Sequence, residues 1–300
     1  MREINIALVF FAAGLIACGK SAETLTTQTA IEPPLTRTPT PTKTATPTLL
    51  PPPSNVTFLF GEEVLPAERE IVQNGIAIAS QYFGDAGPLT VDVDTNRSVL
   101  QNRYPNLPTD FSAGSVGGRG PGVIAILASS SDWQNMASIR KLSVLSHEYF
   151  HVLQNRLEKD ARFKPRNAGI PPDGPIWLRE GSAEYYGFRS VASYGLVEFA
   201  SARLERIARS KGINNTLSEL ETSQSALVFT LGFLAAEFLE VKSGSQSLLK
   251  YYETIGTGVE WQVAFQNVFG VSIAAFYRQF EDYRRNGYVL TPSATTTPKQ

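Results

Sequence analysis

The chain has 300 residues, of which 42% are hydrophobic and 18% charged, and its formal net charge is -1. This length suits one or two domains of ordinary globular composition. The small net charge gives no reason to expect nucleic acid or an acidic membrane surface as a partner. A disulfide within the chain is excluded, because Cys18 is the only cysteine.

The chain begins with a short apolar segment that ends at this cysteine. Residues 4–17 form an apolar run that is too short to span a bilayer as a stable anchor. Residues 15–18, LIAC, resemble the lipobox of bacterial lipoproteins. The resemblance implies a signal peptide over residues 1–17, cleavage before Cys18, and a lipid on that cysteine that holds the protein at the membrane. A plain secretory signal is the alternative, and both interpretations predict an extracytoplasmic protein.

Two segments rich in Thr and Pro flank the predicted folded part. Residues 24–55, TLTTQTAIEPPLTRTPTPTKTATPTLLPPPSN, cannot bury enough apolar surface to fold, and their prolines lack backbone donors. We therefore expect residues 18–55 to be the lipidated cysteine and an extended, disordered stalk. Residues 291–300 have the same composition and predict a disordered tail. The predicted domain spans residues 56–290, as one unit or two closely packed subdomains.

The first half of this domain has mixed character, and the second half is helical. Short β-branched runs predict strands over residues 56–60, 89–94 and 122–129, and apolar periodicity predicts a helix over 64–83. The Gly-rich residues 112–122 predict a flexible connection, because they lack the Lys and Ser/Thr of a phosphate-binding loop. Further helices are predicted over residues 138–160, 175–192, 196–211, 225–243, 245–255, 259–268 and 272–286. The predicted fold class is α+β, with a small N-terminal sheet and a mainly helical C-terminal subdomain.

The only two histidines in the chain, His147 and His151, lie four positions apart in the predicted helix 138–160. At about 100° per residue both rings leave the same face, and Glu148 lies beside them. The opposite face is apolar and suited to packing in a core, with Leu142, Leu145, Tyr149, Val152 and Leu153. The segment HEYFH therefore matches HExxH, in which two histidines bind zinc and the glutamate is a general base. Two surface histidines on an amphipathic helix are the alternative.

A catalytic zinc ion takes three protein ligands, and here the third must be Asp or Glu. Glu158 lies on the correct helical face, but seven residues of helix place it about 10 Å from His151 along the axis. Glu180 and Glu184 are better candidates, because their spacing puts both on one face of the next helix. The glycines, Ser182 and Ala183 of residues 174–187 would let that helix approach the first one closely.

HExxH followed by residues 177–185, WLREGSAEY, resembles the gluzincin metallopeptidases, in particular the peptidase MA-like clan that includes the aminopeptidase M1 group. The resemblance covers about residues 142–286. It implies a zincin-like fold with the active-site cleft between its two parts, Zn²⁺ as cofactor, and a peptide or protein substrate. It also implies Glu180 as the third zinc ligand. A helix-surface carboxylate paired with Arg179 or another base is the alternative role of Glu180.

Two features depart from the family pattern. The spacer of 28 residues between His151 and Glu180 is longer than in the aminopeptidase group, and residues 164–175 read as an inserted loop. Many relatives also carry a tyrosine three residues before a glycine on the later helix, where it stabilises the oxyanion. Phe229 takes this place, and a phenyl ring donates no hydrogen bond. The tyrosines considered as substitutes are Tyr185, Tyr186 and Tyr194.

The leading hypothesis is zinc-dependent peptide hydrolysis, with His147, His151 and Glu180 as metal ligands and Glu148 as the general base. Glu184 is a candidate acceptor for a ligand imidazole N–H, or else part of a surface salt bridge. The predicted strand that begins at residue 122 is either the sheet edge that pairs with an extended peptide or an ordinary core strand.

Two other functions compete with hydrolysis. A catalytically weak or inactive gluzincin-like surface module would bind peptide or zinc, and Phe229 favours it. A structural spacer or adhesion protein is supported only by the stalk. Three arginines, Arg203, Arg206 and Arg209, predict a solvated helix face.

Overall fold

The computed structural model describes residues 51, 53–116, 122–159, 169–223 and 225–290. The predicted signal peptide, Cys18 and its lipidation, nearly all of the stalk and the tail lie outside the described residues, so these remain predictions. Among the helices that are described, none combines the length and the apolar character needed to cross a bilayer.

The described residues form one mixed sheet of four strands in the order β1-β2-β4-β3. Strands β1, β2 and β4 are parallel, and β3 pairs antiparallel with β4 at the edge. Strand β4 therefore lies inside the sheet, so its predicted role as the edge is wrong and the core-strand alternative holds. The strands are β1 (Val56–Phe60), β2 (Leu89–Asp94), β3 (Ala113–Val116) and β4 (Gly122–Leu127).

Strand β3 lies within the segment that was predicted as a flexible connection. Its sequence, AGSV, has small residues and almost no β-branched content, so its local preference for strand is weak. Pairing with β4 imposes the extended conformation instead, in a register that sets Gly114 opposite Ala125. The prediction of a plain loop was therefore wrong for these four residues.

The predicted helices are all present, with ends that differ by a few residues. The short helices α2 and α3 were not predicted, because segments of seven and five residues are too short to show helical periodicity. The helices are α1 (Pro66–Phe83), α2 (Arg97–Arg103), α3 (Ser131–Asn135), α4 (Ser138–Glu158), α5 (Ile176–Ser193), α6 (Phe199–Ser210), α7 (Leu227–Ser243), α8 (Ser247–Gly256), α9 (Trp261–Phe269) and α10 (Ile273–Arg285).

Helix α4 joins the two cores of the domain. Leu145, Tyr149 and Val152 pack with α1 and the inner face of the sheet, as the apolar face of this helix predicted. Phe150 packs on another side of α4, in the core that the later helices share. Burial of each such side chain contributes about 1.5–3 kcal/mol, which fixes the rotation of α4 about its axis. The predicted α+β architecture, a small N-terminal sheet and a mainly helical remainder, is confirmed.

Helix α5 lies against α4 on one side and α7 on the other. A Cβ at Gly187 would come within 2.6 Å of the carbonyl oxygen of Ser143 on α4. A Cβ at Gly181 would overlap the backbone of Gly232 on α7. The prediction that glycines let α5 approach α4 therefore holds for Gly187, whereas Gly181 serves the contact with α7. Both contacts keep the helix axes close and bring α5 side chains over the histidine face of α4.

Candidate active site

The two histidines of α4 meet at their Nε2 atoms. His147 and His151 are 0% and 1% exposed, and their Nε2 atoms lie 2.9 Å apart. The alternative of two surface histidines is therefore wrong. Their Nδ1 atoms point away from each other, toward Glu184 for His147 and toward Gln154 for His151. The pair thus presents two ring nitrogens to one point between the helices.

Helix α5 adds the carboxylate of Glu180 at this point. Its Oε2 lies 3.6 Å from His147 Nε2 and 3.3 Å from His151 Nε2. Burial raises the pKa of Glu180, but the two imidazoles outweigh this effect and lower it to about 2. Arg179 does not take part, because its guanidinium pairs with Glu158 and Asp173. The surface pairing of Glu180 with Arg179 is therefore wrong.

This cluster fits a zinc ion. One ligand atom from each of His147, His151 and Glu180 lies within 4.8 Å of the other two. Neither oxygen of the buried Glu180 carboxylate accepts a hydrogen bond from the part of the chain that the structure describes. A buried carboxylate in that condition is costly unless a cation neutralises it. Two imidazoles and one carboxylate are also the donors of a catalytic zinc site that keeps a position open for water.

Glu148 is buried beside the cluster, next to the edge strand β3. Burial raises the pKa of Glu148 above its ordinary value, and the nearby imidazoles and the backbone amide of Ser115 offset this only partly. A carboxyl group with a raised pKa is a better proton acceptor near neutral pH than an ordinary one. The position beside the rings, and not between them, agrees with the helical geometry expected for HExxH.

The amide of Ser115 lies on the open side of the sheet. The Leu127 amide donates to the Ser112 carbonyl, so Ser112 belongs to a hydrogen-bonded pair of the antiparallel ladder. Paired positions alternate along the strand, so the N–H and C=O of Ser115 point away from β4. Within the ranges that the structure describes, no strand pairs with this side of β3, and this edge of the sheet runs past the Glu148 carboxylate.

Glu184 supports His147 from behind the cluster. Its Oε2 lies 3.4 Å from His147 Nδ1, and Arg140 and Arg206 both pair with the same carboxylate. Burial opposes the ionisation of Glu184, but the two guanidinium groups outweigh it and hold the pKa well below its usual range. Burial also lowers the pKa of His147, yet contacts with Glu180 and Glu184 raise it to about 9. Glu184 is buried, so the surface salt bridge is wrong.

The arginines of α6 do not form one solvated face. Arg206 is only 4% exposed and contacts Glu184, and its guanidinium lies 5.2 Å from the centre of the Phe188 ring. Arg203 pairs with Glu237, and Arg209 alone has the exposed position that was predicted, beside Glu205. The prediction failed at Arg206 because a regular polar stripe on one helix does not reveal a buried carboxylate on another.

Phe229 lies beside the cluster, with its ring centre 6.0 Å from that of His147. The tyrosines that were considered as oxyanion donors are used elsewhere. Tyr186 donates to Glu240, Tyr194 donates to Gln81, and Tyr185 packs its ring against Phe233. Phe229 therefore presents an apolar ring to this side of the cluster and has no hydroxyl that could donate a hydrogen bond.

Three groups at the site were not identified from the sequence: Gln154, Ser115, and the pair formed by Arg140 and Arg206. Gln154 lies three residues after His151 within a buried stretch of α4, and a polar residue at that spacing is the one signal that pointed to it. The other groups come from separate elements, and only the fold brings them to the cluster.

No known protein family matches the chain by sequence, and no curated protein matches it. Among solved structures it is similar to an M1 zinc metallopeptidase from Deinococcus radiodurans, with 14% identity and a TM-score of 0.45 over 80% of this chain and 50% of that one. A point mutant of an M1 zinc metallopeptidase from that organism gives 16% identity and a TM-score of 0.42, over 78% and 48%. A two-domain M1 zinc metallopeptidase mutant bound to L-tryptophan gives 16% and 0.40, over 81% and 48%. The chain spans about half the length of these structures.

Proposed function

We propose that this chain is a zinc-dependent metallopeptidase of the gluzincin type that hydrolyses peptide bonds. The proposal rests on the buried cluster of ligand atoms from His147, His151 and Glu180, with the carboxyl group of Glu148 beside it. A structural zinc site usually has four protein ligands and needs no proton acceptor. Three donors and an adjacent carboxyl group favour a catalytic site.

The residues have distinct roles in this proposal. His147, His151 and Glu180 would hold the ion. A bound zinc ion supplies Lewis-acid polarisation of the scissile carbonyl and makes a water molecule easier to deprotonate. Glu148 takes the proton from the attacking water and delivers it to the leaving amine. Glu184 accepts the Nδ1–H of His147 and keeps that ring oriented.

The free edge of β3 is suited to align the substrate. Its outward N–H and C=O groups accept an extended peptide as one more antiparallel strand. Such a peptide would pass Glu148, because the Ser115 amide is near that carboxylate. The peptide-binding edge expected from the sequence is therefore assigned to β3 in place of β4.

We also propose that the enzyme works outside the cytoplasm, held at the membrane by a lipid on Cys18. The lipobox-like residues 15–18 and the Thr/Pro-rich segment after them support this location. The stalk would keep the catalytic domain away from the lipid headgroups, since Pro-rich chains extend by about 3.1 Å per residue.

The test measures zinc content and peptide cleavage in the same preparations. The wild-type chain and Glu148→Gln are each assayed for bound zinc and then incubated with a broad peptide library. We expect one zinc ion per chain in both proteins, and cleavage by the wild type that falls about 100- to 10,000-fold in Glu148→Gln. Cleavage that persists in Glu148→Gln contradicts the assigned mechanism.

The second candidate function is a gluzincin-like surface module that binds zinc or peptide without cleaving it. Phe229 favours it, because loss of one oxyanion donor lowers a rate by about two to three orders of magnitude. One zinc ion per chain with no cleavage in the library would identify this module. Absence of zinc would leave only the structural spacer.

A further inference from the structure

His151 contacts the buried side-chain amide of Gln154. Gln154 Oε1 lies 2.6 Å from His151 Nδ1. Both side chains are buried, so water does not compete for this hydrogen bond. The spacing of three residues puts them on neighbouring positions of α4, where side chains readily meet.

The other end of this amide is fixed by two groups of α5. Gln154 Nε2 donates to the Arg179 carbonyl at 3.1 Å and to Ser182 Oγ at 3.0 Å. Ser182 Oγ can donate its own proton to the same carbonyl, at 3.0 Å. It accepts from Gln154, and it also lies 3.0 Å from the Tyr252 hydroxyl, where either oxygen can donate, because Tyr252 can also donate to the Leu178 carbonyl. The amide nitrogen of Gln154 only donates and the Arg179 carbonyl only accepts, so their roles do not depend on how the two hydroxyls share their protons.

The network allows only one orientation of the amide. If the amide were reversed, Oε1 would face the Arg179 carbonyl, and two acceptors would meet without a proton between them. Oε1 must therefore face His151. An amide oxygen only accepts, so the proton of the neutral imidazole lies on Nδ1, and Nε2 keeps its lone pair toward His147 and Glu180.

We propose that Gln154 is a positioning residue that fixes His151 in the Nδ1–H tautomer, with the Arg179 carbonyl and Ser182 fixing Gln154 in turn. The inference rests on the metal-binding role of His151 in the proposed function, but not on peptide cleavage. In this proposal the neutral amide of Gln154 orients the His151 ring, as the Glu184 carboxylate orients the His147 ring.

The test compares two substitutions that differ in one property. Gln154→Met and Gln154→Glu are close to glutamine in length, and both remove the donor to Arg179 and Ser182. Only Gln154→Glu keeps an acceptor that faces the ring; its second oxygen then faces the Arg179 carbonyl, so we expect this variant to lose stability while its ring contact is kept. Zinc affinity is measured for the wild type and both variants by competition with a chelator, after thermal unfolding has shown that each is folded.

We expect zinc to bind Gln154→Met about 10- to 100-fold more weakly than the wild type, and Gln154→Glu to stay within about threefold. A structural role would instead weaken both variants alike, because both lose the same donors. Equal losses, or no loss in Gln154→Met, would overturn the proposal.

Nuclear magnetic resonance of the wild type gives a second readout that needs no variant. With only two histidines in the chain, ¹⁵N-histidine labelling leaves two imidazoles to assign. We expect long-range ¹H–¹⁵N spectra of the zinc-loaded protein, and of the metal-free protein with the ring neutral, to show the His151 proton on Nδ1. A proton on Nε2 in the metal-free protein, or a metal on Nδ1, would disprove the tautomer. Neither spectrum depends on catalysis, so an inactive protein still decides the matter.

Discussion

The two histidines present the same nitrogen to the cluster, but opposite kinds of chemistry support them. On the Nδ1 side of His147 lies a carboxylate, Glu184, which the buried Arg206 and the partly buried Arg140 compensate. On the Nδ1 side of His151 lies a neutral amide, Gln154, held by the Arg179 carbonyl and the Ser182 hydroxyl. A carboxylate makes its imidazole more basic, whereas an amide fixes the tautomer and adds no charge.

The difference follows from the charges that are already buried at the site. Three carboxyl groups lie around the histidines, those of Glu148, Glu180 and Glu184, and Arg140 and Arg206 compensate only the last. A fourth carboxylate behind His151 would be another buried charge, and removing an ion of this kind from water costs several kcal/mol. An amide orients the second ring without that penalty.

The largest effect is expected from removing Glu184, the charged group that supports His147. Glu184→Ala leaves the buried Arg206 and the partly buried Arg140 without their shared partner, so we expect about 3–5 kcal/mol loss in the free energy of unfolding. Zinc should also bind about 10- to 100-fold more weakly, because His147 loses its orienting acceptor. Chemical denaturation and chelator competition measure the two effects. Glu184→Gln is the matched control, and it should recover part of the zinc affinity but little of the stability.

A smaller effect on stability is expected at Arg206. Arg206→Met keeps the packing of the long side chain against Phe188 and leaves Arg140 and Glu184 as a balanced pair. We expect about 1–3 kcal/mol loss in the free energy of unfolding, from one charge-assisted hydrogen bond. Arg209→Met, on the exposed part of the same helix, should change it by less than about 0.5 kcal/mol. Equal effects of the two substitutions would contradict the distinction between them.

Substitutions at Phe229 test whether the ring beside His147 limits the rate of hydrolysis. Where the lack of an oxyanion donor limits hydrolysis, Phe229→Tyr should raise kcat by up to about 100- to 1,000-fold, because one such donor contributes about 2.7–4 kcal/mol in other enzymes. Zinc affinity should not change, since the hydroxyl is not among the donors of the cluster. Phe229→Leu is the control for a change in the apolar surface alone. A fall in kcat for Phe229→Tyr would show that the site uses this ring in another way.

The smallest effects on stability and zinc affinity are expected from the groups around Gln154, the neutral residue that supports His151. Ser182→Ala removes one acceptor of Gln154 Nε2, but the Arg179 carbonyl still holds the amide. We expect about 1 kcal/mol loss in stability and less than threefold loss in zinc affinity. Tyr252→Phe should have a similar or smaller effect. A loss of zinc affinity as large as that of Glu184→Ala would remove the difference between the two sides.

Most of the fold followed from local patterns in the sequence. The helices from α4 onward have enough turns for their apolar periodicity to be clear, and β1, β2 and β4 are compact apolar runs. Strand β3 and helix α2 were missed because each is defined by its partners: AGSV pairs with β4, and Arg103 of α2 pairs with Asp92 of β2. Short elements of this kind carry too few residues for a pattern.

The part of the site that lies on the single helix α4 could be predicted from the sequence. The spacing of His147, Glu148 and His151 gave the shared face directly, because a helix has a fixed period. Spacing alone left Glu180 and Glu184 equivalent, since both lie on the same face of α5. The structure separates them, with Glu180 at the Nε2 side and Glu184 at the Nδ1 side of His147. Which glutamate faces which nitrogen depends on the position of α5 along the axis of α4, and the sequence of neither helix alone determines that position.

The contact between Gly181 and Gly232 has a mechanical consequence. Gly181 follows Glu180, Gly232 lies three residues after Phe229, and the two helices touch there backbone to backbone. No flexible side chain lies between them to absorb a small displacement. A shift of α7 by a substrate pressing on Phe229 would therefore be transmitted directly to the carboxylate of Glu180, so the wall beside the rings and the third donor move as one rigid part.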